Sequence, residues 1–289
     1  MLNGILNDLK LKYNTGNIAT KIIYINVVLF FSIFLVDKFF PYSIADFLSL
    51  LRIENEGLSQ PWSILTYSWV HGDFWHLVSN MIFLYFVAQL FLRFFRDKDL
   101  LTFYLFGGIV GGLLFLIFPL DNQYSLAGSS ACIYALLFAI ISYNPTMQVR
   151  LVLIPTSFPI LYFGYVFIGL DLLQIILKNQ NIGGSISHFG GMAFGYLYMK
   201  QFEKGNDFLG QLLTKVSTIF KREPNKTTFK TYRNTKATQE SKVPKNDYDY
   251  NQQKIDKQKK IDAILDRISR SGYESLTKEE KDFLFREGR

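Results

Sequence analysis

Long apolar stretches separated by short polar loops set the pattern of this chain. Crossing a bilayer takes ~20 mainly apolar residues. Six stretches approach that length: Ile22–Phe40, Trp69–Leu92, Leu101–Phe118, Leu126–Ser142, a segment within Val152–Leu177, and Ser185–Phe202. The fifth is interrupted near its start by Pro155 and Pro159. In the third, Gly107, Gly108, Gly111 and Gly112 would let neighbouring helices approach closely. The pattern predicts an all-α polytopic membrane protein, a six-transmembrane-helix bundle over residues 21–202. Residues 1–20 are mixed in character and read as a segment ahead of the first span. That span is long and lacks a small-residue cleavage site, so it reads as a span and not as a cleavable leader.

After Phe202 the pattern changes. Phe208, Leu209, Leu212, Leu213, Val216, Ile219 and Phe220 form one apolar face, with Lys215, Lys221 and Arg222 nearby. Residues 203–222 therefore read as an amphipathic helix lying on a membrane surface. Residues 223–253 are polar and poor in aliphatic side chains, which predicts a disordered linker. Residues 254–289 read as a small helical module. Its first helix carries Ile261, Ile264, Leu265 and Ile268 on one face and ends near Gly272. Its second opens on a Thr277–Glu280 capping box and carries Phe283 and Leu284.

Charge adds an orientation. Of the net +7, the tail after Phe202 holds 20 Lys and Arg against 14 Asp and Glu, a difference of +6. A basic tail beside a membrane points to anionic lipid more than to nucleic acid. Around the spans, Lys10, Lys12, Lys21, Arg93, Arg96, Lys98, Arg150, Lys200 and Lys204 fall on one side. Lys38, Arg52 and Lys178 fall on the other. The side richer in Lys and Arg faces the cytoplasm. Both termini are then cytoplasmic in a multi-pass protein of the plasma or inner membrane. A lone cysteine, Cys132, excludes a disulfide framework within the chain and reads as a small apolar residue.

The chemistry enters through polar residues inside these spans. The chain has three histidines, His71, His76 and His188. His71, His76 and Asn80 lie early in the second predicted span, Ser130 early in the fourth, His188 early in the sixth. With this orientation all three spans run inward, and a rise of ~1.5 Å per residue sets most of these groups roughly 5–15 Å below the outer surface. Polar groups at membrane depth are costly unless they face the bundle interior or a water-filled cavity. A serine hydroxyl is a weak nucleophile until a base takes its proton, and histidine is the usual base. His76 and Asn80, four residues apart, share a helix face and can aim two donors at one point, as an oxyanion site requires. Taken singly, each residue has a plain packing explanation; together at one depth they favour catalysis. Asp171, an acid inside the fifth span, reads first as a hydrogen bond to a neighbouring helix, and second as a water or gating group. His71 reads as organising water or the first loop.

Several motifs, in order and on the matching spans, resemble the rhomboid family of intramembrane serine proteases over about residues 20–201. The family's G-x-S-x motif is matched by Gly128-Ser129-Ser130-Ala131, with Ala131 where the family usually has glycine. Tyr134 matches its tyrosine one turn later. His188 with Gly191 and Gly195 matches its histidine and glycines on the sixth helix. His71, His76 and Asn80 match its H-x-x-x-x-H-x-x-x-N. Of its Trp-Arg pair, Trp62 is kept, and Ser63 stands in the arginine position. The C-terminal module resembles one appended to some bacterial rhomboids.

The resemblance implies an endopeptidase that cleaves in or near transmembrane segments of other membrane proteins, without metal or cofactor. It implies a dyad with no acidic third member: Ser130 as nucleophile and His188 as general base. His76, Asn80 and the Ser130 amide would hold the oxyanion, Tyr134 would pack against His188, and Gly191 and Gly195 would let two spans meet. Its partners would be transmembrane substrates, the lipid bilayer and a possible cytoplasmic partner of the tail. The alternatives are a catalytically silent rhomboid-like client binder and, on buried histidines alone, a transporter; no internal repeat supports the latter.

Overall fold

The computed structural model describes residues 2–41, 43–52, 60–118, 124–150, 156–177, 181–220 and 247–287. Helix α1 (Leu2–Thr15) precedes α2 (Ile18–Phe39), whose start is capped by the Asn17 side chain accepting from the Thr20 N–H. A short α3 (Ile44–Leu48) leads into strand β1 (Leu50–Arg52), then α4 (Ser63–Thr66) and a single 3₁₀ turn (Tyr67–Trp69). Next come α5 (Phe74–Phe91), α6 (Asp97–Ile117), strand β2 (Tyr124–Leu126) and α7 (Ser130–Tyr143). Strands β3 (Gln148–Val149) and β4 (Phe158–Pro159) flank the next connection, followed by α8 (Leu161–Ile176), α9 (Ile182–Phe202) and α10 (Phe208–Phe220). These belong to one compact unit, Met1–Glu223; a second, Pro224–Arg289, holds α11 (Asp247–Ser271) and α12 (Lys278–Glu287).

The fold class is the all-α membrane architecture expected from the apolar runs. Helices α2, α5 and α6 are each long and apolar enough to cross a bilayer; α7 and α8 are apolar but shorter. Helix α9 has 21 residues. Gly183, Gly184, Ser185, Ser187, His188, Gly190 and Gly191 dilute its apolar character, and nearly all of its N-terminal half is buried. A helix wrapped by protein needs no lipid-facing apolar surface, so hydropathy under-reads it.

Helix α7 is the centre. Every residue from Ala131 to Ser142 is buried, and it packs against α9, α6 and α5. Small residues permit this. A Cβ on Gly191 would collide with the Ala131 carbonyl, and one on Gly195 with the Ala135 carbonyl, so α9 runs almost backbone to backbone along α7. Gly111 of α6 leaves the space that Ala131 fills: a Cβ there would come within 2.7 Å of the Ala131 Cβ. The alanine in place of the family's usual glycine is thus accommodated from the facing helix.

The structure moves two predicted span starts. The fourth span was expected from Leu126, but Tyr124–Leu126 pairs antiparallel with Leu50–Arg52, and the helix begins only at Ser130. The second was expected from Trp69, but Asp73 caps α5 by accepting from the His76 N–H. His71 therefore lies in the connection ahead of the helix. The first loop is tied down where Ser63 replaces arginine: the Trp62 indole donates to the Phe47 carbonyl at 3.0 Å, the Ser63 hydroxyl to Gln60 at 2.6 Å, and Thr66 to Leu48 at 2.7 Å.

In the tail, α10 begins at Phe208 and leaves Phe208, Leu212, Val216 and Ile219 exposed as one stripe. Most of the predicted linker, residues 223–246, lies outside the described residues. Its last part is helical, because α11 starts at Asp247. In the second unit Ile264 and Leu276 are buried, but Leu265, expected on the packed face, is half exposed. The capping box forms: Thr277 N–H donates to Glu280 at 2.9 Å, and the Glu280 N–H to the Thr277 hydroxyl at 3.3 Å.

Candidate active site

The position of Ser130, the candidate nucleophile, follows from how α7 starts. After β2 the chain turns at Gly128, whose φ of 117° suits glycine and few other residues. The Gly128 N–H donates to the Tyr67 carbonyl at 3.0 Å, pinning the turn to the first loop. The helix then opens at Ser130. First-turn N–H groups have no intrahelical acceptor, and the positive end of the helix dipole favours negative charge beside them. The Ser130 hydroxyl and amide are both at that end.

His188 meets Ser130 from α9. Its Nε2 lies 2.7 Å from the Ser130 Oγ, within the range for direct proton transfer. The Tyr134 ring stacks on the imidazole with centroids 4.3 Å apart and planes 11° from parallel. Tyr134 in turn meets Phe83 and Phe167 edge-on. The imidazole is therefore held flat, with its Nε2 edge toward the serine.

The other nitrogen of His188 is also engaged. Its Nδ1 lies 2.9 Å from Oδ1 of Asp171 on α8, and Asp171 is 1% exposed. An ionised Asp171 can only accept, which would put the imidazole proton on Nδ1 and leave Nε2 a lone pair for the serine O–H. The family resemblance implied no acidic third member, yet one stands against His188. Asp171 does make the interhelical hydrogen bond expected of it, but its partner is the histidine at the centre of the site. A sequence signal existed: Asp171 is an acid inside an apolar span that contains no Lys or Arg.

His76 and Asn80 approach from α5. The Gly72 N–H donates to His76 Nδ1 at 3.4 Å, which leaves the His76 proton on Nε2. That Nε2 would be 2.6 Å from a Cβ on Gly128, and the Asn80 Nδ2 3.9 Å from the same point. Two donors thus converge on the space that Gly128 leaves empty, two residues before Ser130. One Asn80 proton is used locally, in a 3.0 Å bond to the His76 carbonyl; an amide NH₂ has a second. His71 sits beside these groups, its ring centroid 5.2 Å from that of His76 and its Nε2 3.4 Å from the Ser129 hydroxyl. Ser129 and His71 are buried.

Together the groups line a cavity of ≈ 460 Å³, with His76, Asn80, Ser130 and His188 on its polar side and Phe83, Tyr134 and Phe167 on its apolar side. Such a mix of an apolar wall and a few convergent polar groups is the usual make-up of a binding or active-site cavity. No group of three His, Cys, Asp or Glu side chains suited to a metal occurs among the described residues.

Comparison with known proteins adds two family matches. A family model described as the Rhomboid domain covers residues 58–202, and a family of unknown function, DUF6576, covers residues 246–286. Among curated proteins, the chain is 30% identical over 176 residues to the mitochondrial RHOMBOID-like protein 12 of Arabidopsis thaliana, covering 54% of this chain and 51% of that protein. It is 25% identical over 150 residues to RHOMBOID-like protein 5 of the same plant, covering 50% and 44%. The chain spans about half the length of the curated relatives it matches.

Proposed function

The chain belongs to the rhomboid family, and on that premise we propose that it is an intramembrane serine endopeptidase acting on transmembrane segments of other membrane proteins. The observation that carries the proposal is the 2.7 Å approach of His188 Nε2 to the Ser130 hydroxyl. A silent client binder has no need of a base aimed at a serine in this way.

In this reading the Ser130 Oγ attacks the scissile carbonyl carbon as His188 Nε2 takes its proton. The carbonyl oxygen becomes an oxyanion, held by His76 Nε2–H, the free Asn80 N–H and the Ser130 amide. As the C–N bond breaks, His188 passes the proton to the leaving amine. Water, deprotonated by His188, then hydrolyses the acyl-enzyme. Donors aimed at a developing oxyanion away from bulk water contribute ~3–4 kcal/mol each. A substrate helix must unwind to offer its carbonyl, so segments with small or helix-weakening residues fit best.

The positive-inside asymmetry supports a multi-pass protein of the plasma or inner membrane with cytoplasmic termini and a site opening to the far side. Residues 21–202 would then be the protease core. Helix α10, with its exposed apolar stripe, would lie along the cytoplasmic leaflet, and residues 254–289 would tether or recruit. A truncation after Arg222 is then expected to cleave at close to the full-length rate; a folded but inactive product would refute this division.

The central test is co-expression with a panel of single-span membrane proteins. Wild type is expected to release fragments that Ser130→Ala and His188→Ala do not, and purified wild type to label with a fluorophosphonate. Equal cleavage by purified Ser130→Ala would overturn the proposal.

A further inference from the structure

The Asp171–His188 contact goes beyond a Ser-His pair. Asp171 is 1% exposed on a helix whose other residues, Gly164 apart, are not buried. Its Oδ1 meets His188 Nδ1 at 2.9 Å; its Oδ2 has no hydrogen-bond partner among the described residues. As a device for stability this is poor. Burying a carboxylate with one neutral partner costs more than it returns, and an apolar side chain of similar size would hold α8 against the bundle at least as well. What the contact does supply is a defined histidine. It rotates the imidazole into line with Ser130, keeps the proton on Nδ1, and sets a negative charge beside the imidazolium that forms when Ser130 gives up its proton.

We propose that Asp171 is a positioning residue for His188, completing a Ser130–His188–Asp171 relay drawn from α7, α9 and α8. The inference rests on the protease reading above for its kinetic consequences, but its structural consequence does not depend on that reading. In Asp171→Asn the amide must choose which atom faces Nδ1. Pointing the oxygen there buries an NH₂ where Oδ2 now has no partner, and orphaned donors are rarer than orphaned acceptors. The NH₂ therefore turns to Nδ1, accepted by its lone pair, and the histidine proton moves to Nε2. That nitrogen can then no longer accept from Ser130.

The chain's three histidines make this measurable. With ¹⁵N-labelled histidine, the His188 signal is assigned by its loss in His188→Gln. Wild type is expected to show an Nδ1-protonated ring at His188, and Asp171→Asn an Nε2-protonated one, with His71 and His76 unchanged. In the same preparations, kcat on a single-span substrate and the rate of fluorophosphonate labelling are expected to fall ~10²–10⁴-fold in Asp171→Asn. KM should stay within about twofold. Asp171→Leu should lose activity comparably with an undiminished melting temperature, and Asp171→Glu should recover part of it. An unchanged His188 tautomer in Asp171→Asn, or kcat within about threefold of wild type, overturns the proposal. So does a loss of activity that merely tracks a lower melting temperature. If the tautomer switches between wild type and Asp171→Asn but wild type shows no Ser130-dependent labelling or cleavage, the protease reading is overturned and the positioning contact stands.

Discussion

Helices α7 and α8 each bring one hydrogen-bonding partner to His188, and they hold it in opposite ways. Twelve of the 14 residues of α7 are buried, and its neighbours meet it through glycines. Of the 16 residues of α8, Gly164 and Asp171 are buried, while Tyr162, Tyr165, Val166, Leu170, Leu173 and Ile176 face outward. Ser130 is therefore fixed by close packing, which moves little without disrupting the bundle. The acid is carried by a helix that leaves most of its surface outside the bundle and reaches His188 from its one packed face. Ser130 sits on a helix packed on all sides, and Asp171 on a helix held along one face, where Phe163 and Phe167 meet Phe86, Phe83 and Tyr134.

The largest expected effect tests the packed side. Gly191→Val puts a branched side chain into the Ala131 carbonyl, with backbone on both sides and no flexible group to give way. We expect a loss of about 3 kcal/mol or more, at the upper end of overpacking costs, and no activity, read as a lower melting temperature in detergent. A wild-type melting temperature would mean that α7 and α9 are looser than described.

Asn80→Ala comes next. It leaves the packing of α7 and α8 intact and removes one donor near Gly128, so turnover should fall ~10²–10³-fold; a change under threefold would remove Asn80 from the oxyanion site.

Tyr134→Ala probes the seam between the two helices, because this α7 ring stacks on His188 and meets Phe167 of α8. A stacked pair is worth ~0.5–1.5 kcal/mol beyond its area, so a drop in kcat of about tenfold is expected, with Tyr134→Phe near wild type. Equal losses in both variants would show that the hydroxyl, not the ring, is what matters.

The smallest effect belongs to the lipid-facing side. Leu170→Ala, half exposed on α8, should change stability by no more than ~0.5 kcal/mol and leave kcat unaltered. A loss as large as that of a core truncation would erase the contrast between the helices.

Much of the fold was legible because its causes are local. Apolar runs of bilayer length mark α2, α5 and α6, and the Thr277–Glu280 spacing marks the start of α12. Small residues at Gly107, Gly111, Gly191 and Gly195 announce close helix contact before any partner is known. Ser130, His188, His76 and Asn80 stand out because polar side chains in apolar spans are expensive.

What lay beyond the sequence depended on partners far away in the chain. Leu126 was expected inside a span; it belongs to a strand because Leu50 pairs with it, and an edge 76 residues upstream leaves no local trace. That pairing, with the turn at Gly128, decides that Ser130 opens its helix and so has first-turn amides without intrahelical acceptors beside it. Asp171 was visible as a buried acid, but its partner was not, since apolar periodicity gives a helix's buried face and not its neighbour. The chain by itself determined which residues had to be hidden from lipid. The packing of α7, α8 and α9 decided which of them meet, because a contact between helices depends on axial offset and rotation that no single helix encodes.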